Sequence, residues 1–277
     1  MKLNKICSTL FTLALASSLA IGCAEMSDVD GDLGNVEKIL GGKNTKAPQW
    51  MTSLQYNGQH FCGGTLIHKN WILTAAHCVD WLPKSEISVC VGRTKISGCR
   101  SQDTSGVSRV IMHKKYSEAN LLGGHDIALL KLKKSFSNRD LSPLARRSDE
   151  PRSGKKVRAI GWGVSDYSKN DPTPDHLQRA GFPFLNNQDC ADAWGDLDSS
   201  LVCIQPQGDA GEIADKSACS GDSGGPIHFN GIQLGVASFV SVTGDRECSA
   251  DAPNAFTRVS SFLGWIRNKT NGDVNVR

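Results

Sequence analysis

The stretch Cys219-Ser220-Gly221-Asp222-Ser223-Gly224-Gly225-Pro226 places two serines, one carboxylate and three glycines between a cysteine and a proline. Glycines at this density allow backbone conformations that a Cβ forbids, so several N–H groups can converge on one point. A serine in such a turn can present its Oγ to a substrate while nearby amides bind a developing oxyanion. Because a serine alone is a poor nucleophile, the rest of the chain must supply a base and a group that orients it.

Two further short motifs offer those groups. The β-favouring run 71–74 leads into Ala75-Ala76-His77-Cys78, and Asp126 stands at the mouth of the apolar run 127–132. A lone aspartate at a strand end is more often solvated than functional. The spacing of Cys62 and Cys78 suits a disulfide that would pin the histidine segment to its neighbouring strand. The chain has no Cys/His cluster at CxxC-type spacing, so we predict no metal site and no cofactor.

Short alternating runs separated by glycine-rich turns fill most of the chain. Asn57-Gly58 between two such runs predicts a tight β-hairpin. A polar stretch over 133–156 predicts a linker between two halves. Only the end of the chain is helical in pattern, with apolar residues on one face from Phe262 onward and Ser260 or Ser261 as the N-cap. The pattern predicts an all-β, barrel-like protein with a C-terminal α-helix.

Residues 1–22 predict a signal peptide, because a short basic start precedes an apolar run and an acidic stretch follows it. Two modes of cleavage stay open. Ala20-Ile21-Gly22-Cys23 resembles a bacterial lipobox, in which Cys23 would be lipidated, although Ala20 replaces the usual leucine. Gly22-Cys23-Ala24 equally fits the small-x-small pattern of ordinary signal cleavage. Residues 23–38 are acidic and contain Lys38 as their only base, which predicts a flexible propeptide or tether.

The chain has 277 residues, 10 cysteines and a formal net charge of +3. This many cysteines predicts disulfides formed in an oxidising compartment, and hence a secreted, extracellular or periplasmic protein. Lipidation of Cys23 would add an outer-membrane anchor to the precursor, and the membrane is expected as a partner only in that case. The basic surplus is small and contains no long basic run, so we do not expect nucleic-acid binding.

The motifs together resemble those of the chymotrypsin-like serine proteases. Thr74-Ala75-Ala76-His77-Cys78, Asp126-Ile127-Ala128-Leu129-Leu130 and Gly221-Asp222-Ser223-Gly224-Gly225-Pro226 are similar to the three signature motifs of that family, in the family's order. Ile39-Leu40-Gly41-Gly42 resembles its activated N-terminus. The resemblance covers about residues 39–270 and implies a protease domain over 39–277 made of two antiparallel six-stranded β-barrels, with the active site in the cleft between them. With the lipobox, it suggests a bacterial source.

The resemblance implies a role for each motif residue. Ser223 would be the nucleophile, His77 its general base, and Asp126 the carboxylate that orients the imidazole. The backbone amides of Gly221 and Ser223 would form the oxyanion hole. Ser238 matches a family serine that hydrogen-bonds the triad aspartate. Protein or peptide substrates are therefore the expected partners.

A mechanism of activation is also implied. Cleavage after Lys38 would free the amine of Ile39 to enter the protein and pair with Asp222, whose buried carboxylate is costly without a partner. The full chain would therefore be an inactive zymogen. The same cut would release the protease from a lipid anchor on Cys23, unless noncovalent contacts retain it.

The resemblance places the specificity pocket at Ser217, Val240 and Asn254. Ser217 matches the pocket floor, where the family's trypsins carry an acid, so preference for Lys or Arg is not expected. Val240 should narrow the mouth, as in elastases, and favour small or medium aliphatic side chains at P1, the substrate residue before the scissile bond. Asn254 could hydrogen-bond a polar P1 residue. An enzyme with such a pocket should not cleave after Lys38, so activation would need a separate trypsin-like protease.

The disulfides that the resemblance implies are Cys62–Cys78, Cys190–Cys203 and Cys219–Cys248, and Cys90 and Cys99 remain to pair with each other. Two alternatives stay open: a chymotrypsin-like P1 preference, and a protease-fold binding module that has lost catalysis. Such modules usually lack a triad residue, whereas all three are present here. The remaining histidines are expected to be surface or structural residues: His60, His68, His113, His125, His176 and His228.

Overall fold

The computed structural model describes residues 39–165, 173–244 and 246–274, which contain two closed six-stranded antiparallel β-barrels. The expected all-β fold with a C-terminal helix is therefore confirmed. The predicted signal peptide, the acidic segment, Cys23 and Lys38 lie outside the described residues. Within the described ranges, no helix is both long and apolar enough to cross a membrane.

The first barrel follows a short strand, β1 (Lys43–Asn44). Its strands are β2 (Met51–Tyr56), β3 (Gln59–His68), β4 (Trp71–Thr74), β5 (Ile87–Val91), β6 (Thr104–Met112) and β7 (Ala128–Leu132). They close in the order β2-β3-β4-β7-β6-β5. As predicted, Asn57 and Gly58 form the tight turn between β2 and β3, both with positive φ (49° and 78°).

The second barrel uses strands from the other half of the chain. They are β8 (Lys156–Gly161), β9 (Gln178–Leu185), β10 (Leu201–Ile204), β11 (Pro226–Phe229), β12 (Ile232–Phe239) and, after the small hairpin of β13 (Val242–Thr243) and β14 (Arg246–Glu247), β15 (Asn254–Arg258). They follow the order β9-β10-β15-β12-β11-β8, and β8 pairs with β9 to close the barrel. β1 adds to the outside of β9. Residues 133–155 connect the two barrels.

Two α-helices accompany the barrels, and the end of the second differs from the prediction. Helix α1 (Asn187–Trp194) is capped by the Asn186 side chain, which accepts hydrogen bonds from two backbone amides. Helix α2 (Leu263–Lys269) continues from a 3₁₀ turn over Val259–Phe262, so its N-cap is Phe262. The expected cap at Ser260 or Ser261 is therefore wrong, and the Ser260 hydroxyl instead donates to Glu150, 2.7 Å away. The other 3₁₀ turns are Ile96–Gly98, Glu118–Gly123 and Arg147–Asp149.

A buried polar network joins the barrels through the connecting segment. The Gln233 Oε1 atom on β12 accepts hydrogen bonds from Thr65 on β3 (2.8 Å) and from Ser142 in the connecting segment (3.0 Å). Ser142 Oγ also lies 3.2 Å from His228 Nε2, and the His228 ring stacks on Trp50 at 4.4 Å between centroids. Burial lowers the pKa of His228 to about 3, so this imidazole is neutral and structural, as expected for it.

The described residues form four disulfides: Cys62–Cys78, Cys90–Cys99, Cys190–Cys203 and Cys219–Cys248. All four expected pairs are confirmed. Cys62 lies on β3 and Cys78 directly follows His77, so this bridge ties the histidine segment to the first barrel. Cys219–Cys248 ties the start of the glycine-rich loop to the end of the β13–β14 hairpin.

Candidate active site

The first barrel brings His77 and Asp126 together because their segments extend from neighbouring strands. Thr74 at the end of β4 pairs with Ala128 at the start of β7, which places the residues just beyond these ends side by side. The Nδ1 atom of His77 lies 2.7 Å from Asp126 Oδ2. The backbone amides of Ala76 and His77 donate to the other carboxylate oxygen, at 2.7 and 3.0 Å.

The Asp126 carboxylate is fully buried and has a complete set of donors. Besides His77 and the two amides, it accepts a hydrogen bond from Ser238 Oγ at 2.7 Å, and its main-chain oxygen accepts one from Thr257. Burial by itself raises the pKa of Asp126, but the hydrogen bond and charge of His77, with the Ser238 hydroxyl, hold it below its ordinary value. Asp126 is thus a buried anion, not the solvated strand-end residue of the alternative reading.

The same contact acts in the opposite direction on His77. Burial lowers the pKa of the imidazole, but the hydrogen bond and the charge of Asp126 outweigh it, so the pKa of His77 lies above its ordinary value. A carboxylate at Nδ1 places the proton of the neutral ring on Nδ1 and leaves Nε2 as an acceptor. This is the tautomer that a general base requires.

The glycine-rich loop packs against the histidine segment. The Gly63 amide on β3 donates to Ser223 O at 2.7 Å. Gly224 has a φ of 74°, and a Cβ there would overlap Thr74 Oγ1, just before the histidine segment. The loop that contains Ser223 therefore packs against the segment that leads to His77. Within the described residues, Ser223 Oγ and His77 Nε2 are not hydrogen-bonded, a contact that often forms only in substrate complexes.

Three backbone amides of the loop, those of Ser220, Gly221 and Ser223, have no acceptor within the described residues. The amides of Asp222, Gly224 and Gly225 donate to main-chain oxygens, at 2.8–2.9 Å. The amides of Gly221 and Ser223, on either side of Asp222, donate to no main-chain oxygen. Gly221 has a φ of 93°, which an L side chain rarely adopts, and this turn leaves its N–H unpaired. The pair of free donors beside the Ser223 hydroxyl can bind an oxyanion.

The Asp222 carboxylate is buried under the loop and has few partners. It accepts hydrogen bonds from the amides of Gly163 (2.9 Å) and Cys219 (3.0 Å), and within the described residues no cation pairs with it. A Cβ on Gly161 or Gly163 would overlap this carboxylate, so the space it occupies depends on both glycines. Desolvation by burial raises the pKa of Asp222 to about 7.

The segment that begins at Ile39 is folded into the second barrel. The Ile39 side chain is fully buried in a cluster that includes Phe182 and Ala218. The next residue, Leu40, pairs with Ser217, whose amide donates to Leu40 O at 3.2 Å. The start of the predicted protease domain thus lies against the strand segment that leads to the glycine-rich loop.

His60 is a site residue that the sequence reasoning missed. Its Nε2 atom lies 3.0 Å from Gly221 O, and its Nδ1 atom lies 2.9 Å from Ser53 Oγ on β2. Burial lowers the pKa of His60 to about 4, so the ring is neutral and supports the loop from the first barrel. No local pattern around His60 distinguishes it from the other histidines, because the contact joins residues far apart in the chain.

A cavity of about 220 Å³ opens beside Ser223. Val240 and Asn254 line it, as expected, together with Ser238 and Phe239. Ser217 is not in contact with the cavity itself, and its place at the pocket floor stays a prediction. Its hydroxyl lies 2.9 Å from Oδ1 of Asn254, a residue that does line the cavity.

Two further residues at this cavity were not predicted. Ser220 Oγ and the carboxylate of Glu247 are hydrogen-bonded to each other, and both side chains line the cavity. Glu247 comes from the β13–β14 hairpin, whose Val242 is 58% exposed and also lines the cavity. The sequence carries no signal for this contact, because a hairpin of two-residue strands has too short a pattern to identify.

One group of potential metal ligands lies at the site. Atoms of Cys62, His77 and Cys78 lie within 4.8 Å of one another. The two sulfurs are joined in a disulfide and are not thiolates, which are the form that binds zinc. This group therefore does not fit a metal ion.

Comparisons with known proteins agree with the fold. A family model described as Trypsin matches residues 39–266. Chymotrypsin-2 from Vespa crabro is 33% identical, covering 83% of this chain and 98% of its own. Chymotrypsin-like elastase family member 1 from Felis catus is also 33% identical, with 83% and 89% covered. Trypsin II-P29 from Gallus gallus is 32% identical, with 93% and 97% covered.

The chain is also similar to the solved structure of neuropsin, a serine protease expressed in the limbic system of mouse brain. The TM-score is 0.68 at 27% identity, covering 83% of this chain and 98% of that one. Fold and relatives together define a twin-barrel serine endopeptidase. The chain belongs to the trypsin family of serine proteases. The relatives named here are animal proteins with three different protease names, so P1 preference and the bacterial source stay predictions.

Proposed function

We propose that the chain is a secreted serine endopeptidase that is made as a zymogen and uses Ser223, His77 and Asp126 to hydrolyse peptide bonds. The observation that supports this best is the 2.7 Å hydrogen bond between His77 Nδ1 and Asp126 Oδ2, because it leaves Nε2 as the basic nitrogen. The four disulfides support an oxidising, extracytoplasmic location.

The proposed reaction has two halves. His77 Nε2 accepts the Ser223 Oγ proton as the oxygen attacks the scissile carbonyl, and the imidazolium then protonates the leaving amine, which leaves an acyl-enzyme. Water attacks the acyl-enzyme in the second half, again with His77 as base and then as acid, and releases the carboxylic acid and free Ser223. Asp126 stays ionised throughout and stabilises the imidazolium.

The amides of Gly221 and Ser223 are the proposed oxyanion hole. Neither amide has an acceptor in the described residues, so both are free to bind the oxygen of the tetrahedral intermediate. Loss of one donor of this kind typically costs about 2.7–4 kcal/mol of transition-state stabilisation.

We further propose that cleavage after Lys38 activates the enzyme. The new amine at Ile39 would supply the cation that Asp222 lacks, since Ile39 is already buried in the barrel whose loop contains Asp222. The acidic segment 23–38 would be released, together with the lipid anchor if Cys23 carries one. A separate trypsin-like protease is the proposed activator, because the pocket offers no acid at its floor for Lys38.

For specificity, we propose an elastase-like preference for small or medium aliphatic P1 residues. Val240 lines the cavity beside Ser223, which supports a narrowed pocket. A chymotrypsin-like preference is the second candidate, and a cavity volume of about 220 Å³ keeps it in consideration.

A fluorophosphonate probe tests the proposed chemistry. After cleavage at Lys38, the probe should label Ser223, whereas the uncleaved chain and a cleaved Ser223→Ala variant should not react. Labelling at another residue, or none in a correctly cleaved chain, would favour a binding module over an enzyme of this mechanism.

A further inference from the structure

The cavity beside Ser223 is lined by a carboxamide with an unused donor, that of Asn254. Asn254 is fully buried, begins β15 and lines the cavity. Its Nδ2 atom is buried and has no hydrogen-bond partner within the described residues. A buried amide NH₂ without an acceptor is costly, and a ligand that supplies the acceptor removes that cost.

The orientation of this amide follows from its surroundings. The backbone N–H of Ala218 donates to Asn254 Oδ1 at 3.2 Å, and Ser217 Oγ lies 2.9 Å from the same oxygen. A backbone N–H cannot accept a hydrogen bond, so exchanging the oxygen and nitrogen would set two donors against each other. The oxygen is therefore fixed toward Ala218, and the nitrogen is the atom left for a ligand.

We infer that Asn254 extends the proposed aliphatic preference to uncharged P1 side chains that end in a hydrogen-bond acceptor, and that among medium-sized side chains glutamine fits best. This rests on the proposed function, because it takes the cavity beside Ser223 as the P1 site. Glutamine is unbranched, so it can pass Val240, and its terminal oxygen can accept from Nδ2. Lysine and arginine offer donors only and leave Nδ2 unpaired.

Charge separates glutamine from glutamate, which has nearly the same shape. Glu247 lines the same cavity, and its carboxylate accepts a hydrogen bond from Ser220 Oγ. An anionic P1 side chain would be repelled by Glu247, whereas a carboxamide carries no charge. The cavity therefore favours the amide over the acid.

The test compares peptides that differ only at P1, as glutamine, methionine or glutamate, with the Lys38-cleaved enzyme. We expect kcat/KM for glutamine to exceed that for methionine by roughly three- to tenfold, the range of one neutral hydrogen bond, with glutamate below both. Asn254→Leu should bring the glutamine-to-methionine ratio to one or less. Asn268→Leu, the same change on the exposed face of α2, should leave the ratio as it is.

The ratio is measured within each enzyme, so it does not depend on the yield of folded protein. Asn254→Asp provides a second variant in case the leucine disrupts the fold. It keeps an acceptor for Ala218 but replaces the donor by a carboxylate oxygen, and it should also lose the glutamine preference. Hydrolysis of all three peptides with methionine equal to or above glutamine would overturn this inference alone. If none of the three peptides is hydrolysed by an enzyme that still reacts with a fluorophosphonate at Ser223, this inference is overturned, whereas an enzyme that also fails to react with the probe would overturn the proposed function.

Discussion

Two buried aspartates lie close to the same loop, and their carboxyl groups behave in opposite ways. Asp126 is 0% exposed and Asp222 is 5% exposed, yet the pKa of Asp126 lies below its ordinary value and that of Asp222 rises to about 7. The difference lies in their partners. Asp126 has an imidazole, a hydroxyl and two amides, whereas Asp222 has two amides. Burial alone therefore does not decide whether a carboxylate is charged.

The contrast gives each aspartate a different kind of role. The partners that stabilise the charge of Asp126 are all in place, and Asp126 holds His77 in one tautomer. Asp222 lacks a cationic partner, and its ionised form becomes favourable only when one binds. Variants at the two positions should therefore fail in different ways.

The largest effect should follow Asp126→Asn. The amide removes the charge that raises the pKa of His77 and favours the wrong tautomer, so kcat should fall about 10⁴-fold, the loss known for this change in serine-protease triads. The acid limb of the pH–rate profile should also shift to lower pH. Steady-state kinetics of the cleaved variant across pH would measure both, and a loss of less than tenfold would contradict the role of Asp126.

The next effect should follow Asp222→Asn, and it has two parts. In the cleaved enzyme, kcat/KM should fall at least 10²-fold, because the oxyanion amides of the loop lose the ion pair that orders them. Fluorophosphonate labelling rates and peptide kinetics would measure this loss.

In the uncleaved chain, the same variant should change the pH dependence of stability. The raised pKa of Asp222 means that its contribution is fully present below the unfolded pKa near 3.8 and is lost as pH rises through about 7. The uncleaved Ser223→Ala chain should therefore lose more stability between pH 4 and pH 8 than the Ser223→Ala/Asp222→Asn chain. Denaturant unfolding at both pH values would measure this loss. If the free energy of unfolding changed equally with pH in the two chains, Asp222 would already have a cation.

The smallest effect should follow Ser238→Ala. Asp126 keeps His77 and both amides after this change, so kcat/KM should fall only about three- to tenfold, consistent with one lost hydrogen bond. A loss as large as that of Asp126→Asn would mean that Ser238 holds the aspartate in position. His77 and the two amides alone would then not be enough to keep the Asp126 carboxylate ionised and in place.

Features that depend on residues close together in the sequence could be predicted, and features that depend on contacts between distant residues could not. The Asn57-Gly58 hairpin was predicted because its turn chemistry is local, and the barrels and disulfides followed from motif order and family resemblance. The cap at Ser260 or Ser261 is wrong because a 3₁₀ turn over Val259–Phe262 includes both serines, and the Ser260 hydroxyl bonds to Glu150, which is distant in sequence. His60 and Glu247 were missed for the same reason, since their contacts with the loop cross large sequence separations.

The specificity pocket shows the limit most clearly. The resemblance placed Ser217 and Asn254 in one pocket, but it could not order them in depth. In the structure, the Ser217 hydroxyl lies 2.9 Å from Asn254 Oδ1, and Asn254 lines the cavity whereas Ser217 does not. Only side-chain packing decides which of two polar neighbours faces a ligand.

The burial of Ile39 has a consequence for how the protein can be produced. The Ile39 side chain is buried although the chain continues before it, so the proposed ion pair with Asp222 depends on a free α-amine on Ile39 itself. An affinity tag, an initiator methionine or a single residue left by a cloning site before Ile39 would keep the amine from Asp222. Preparations of the active enzyme should therefore carry any tag at the C-terminus or upstream of a cleavage site that ends directly before Ile39.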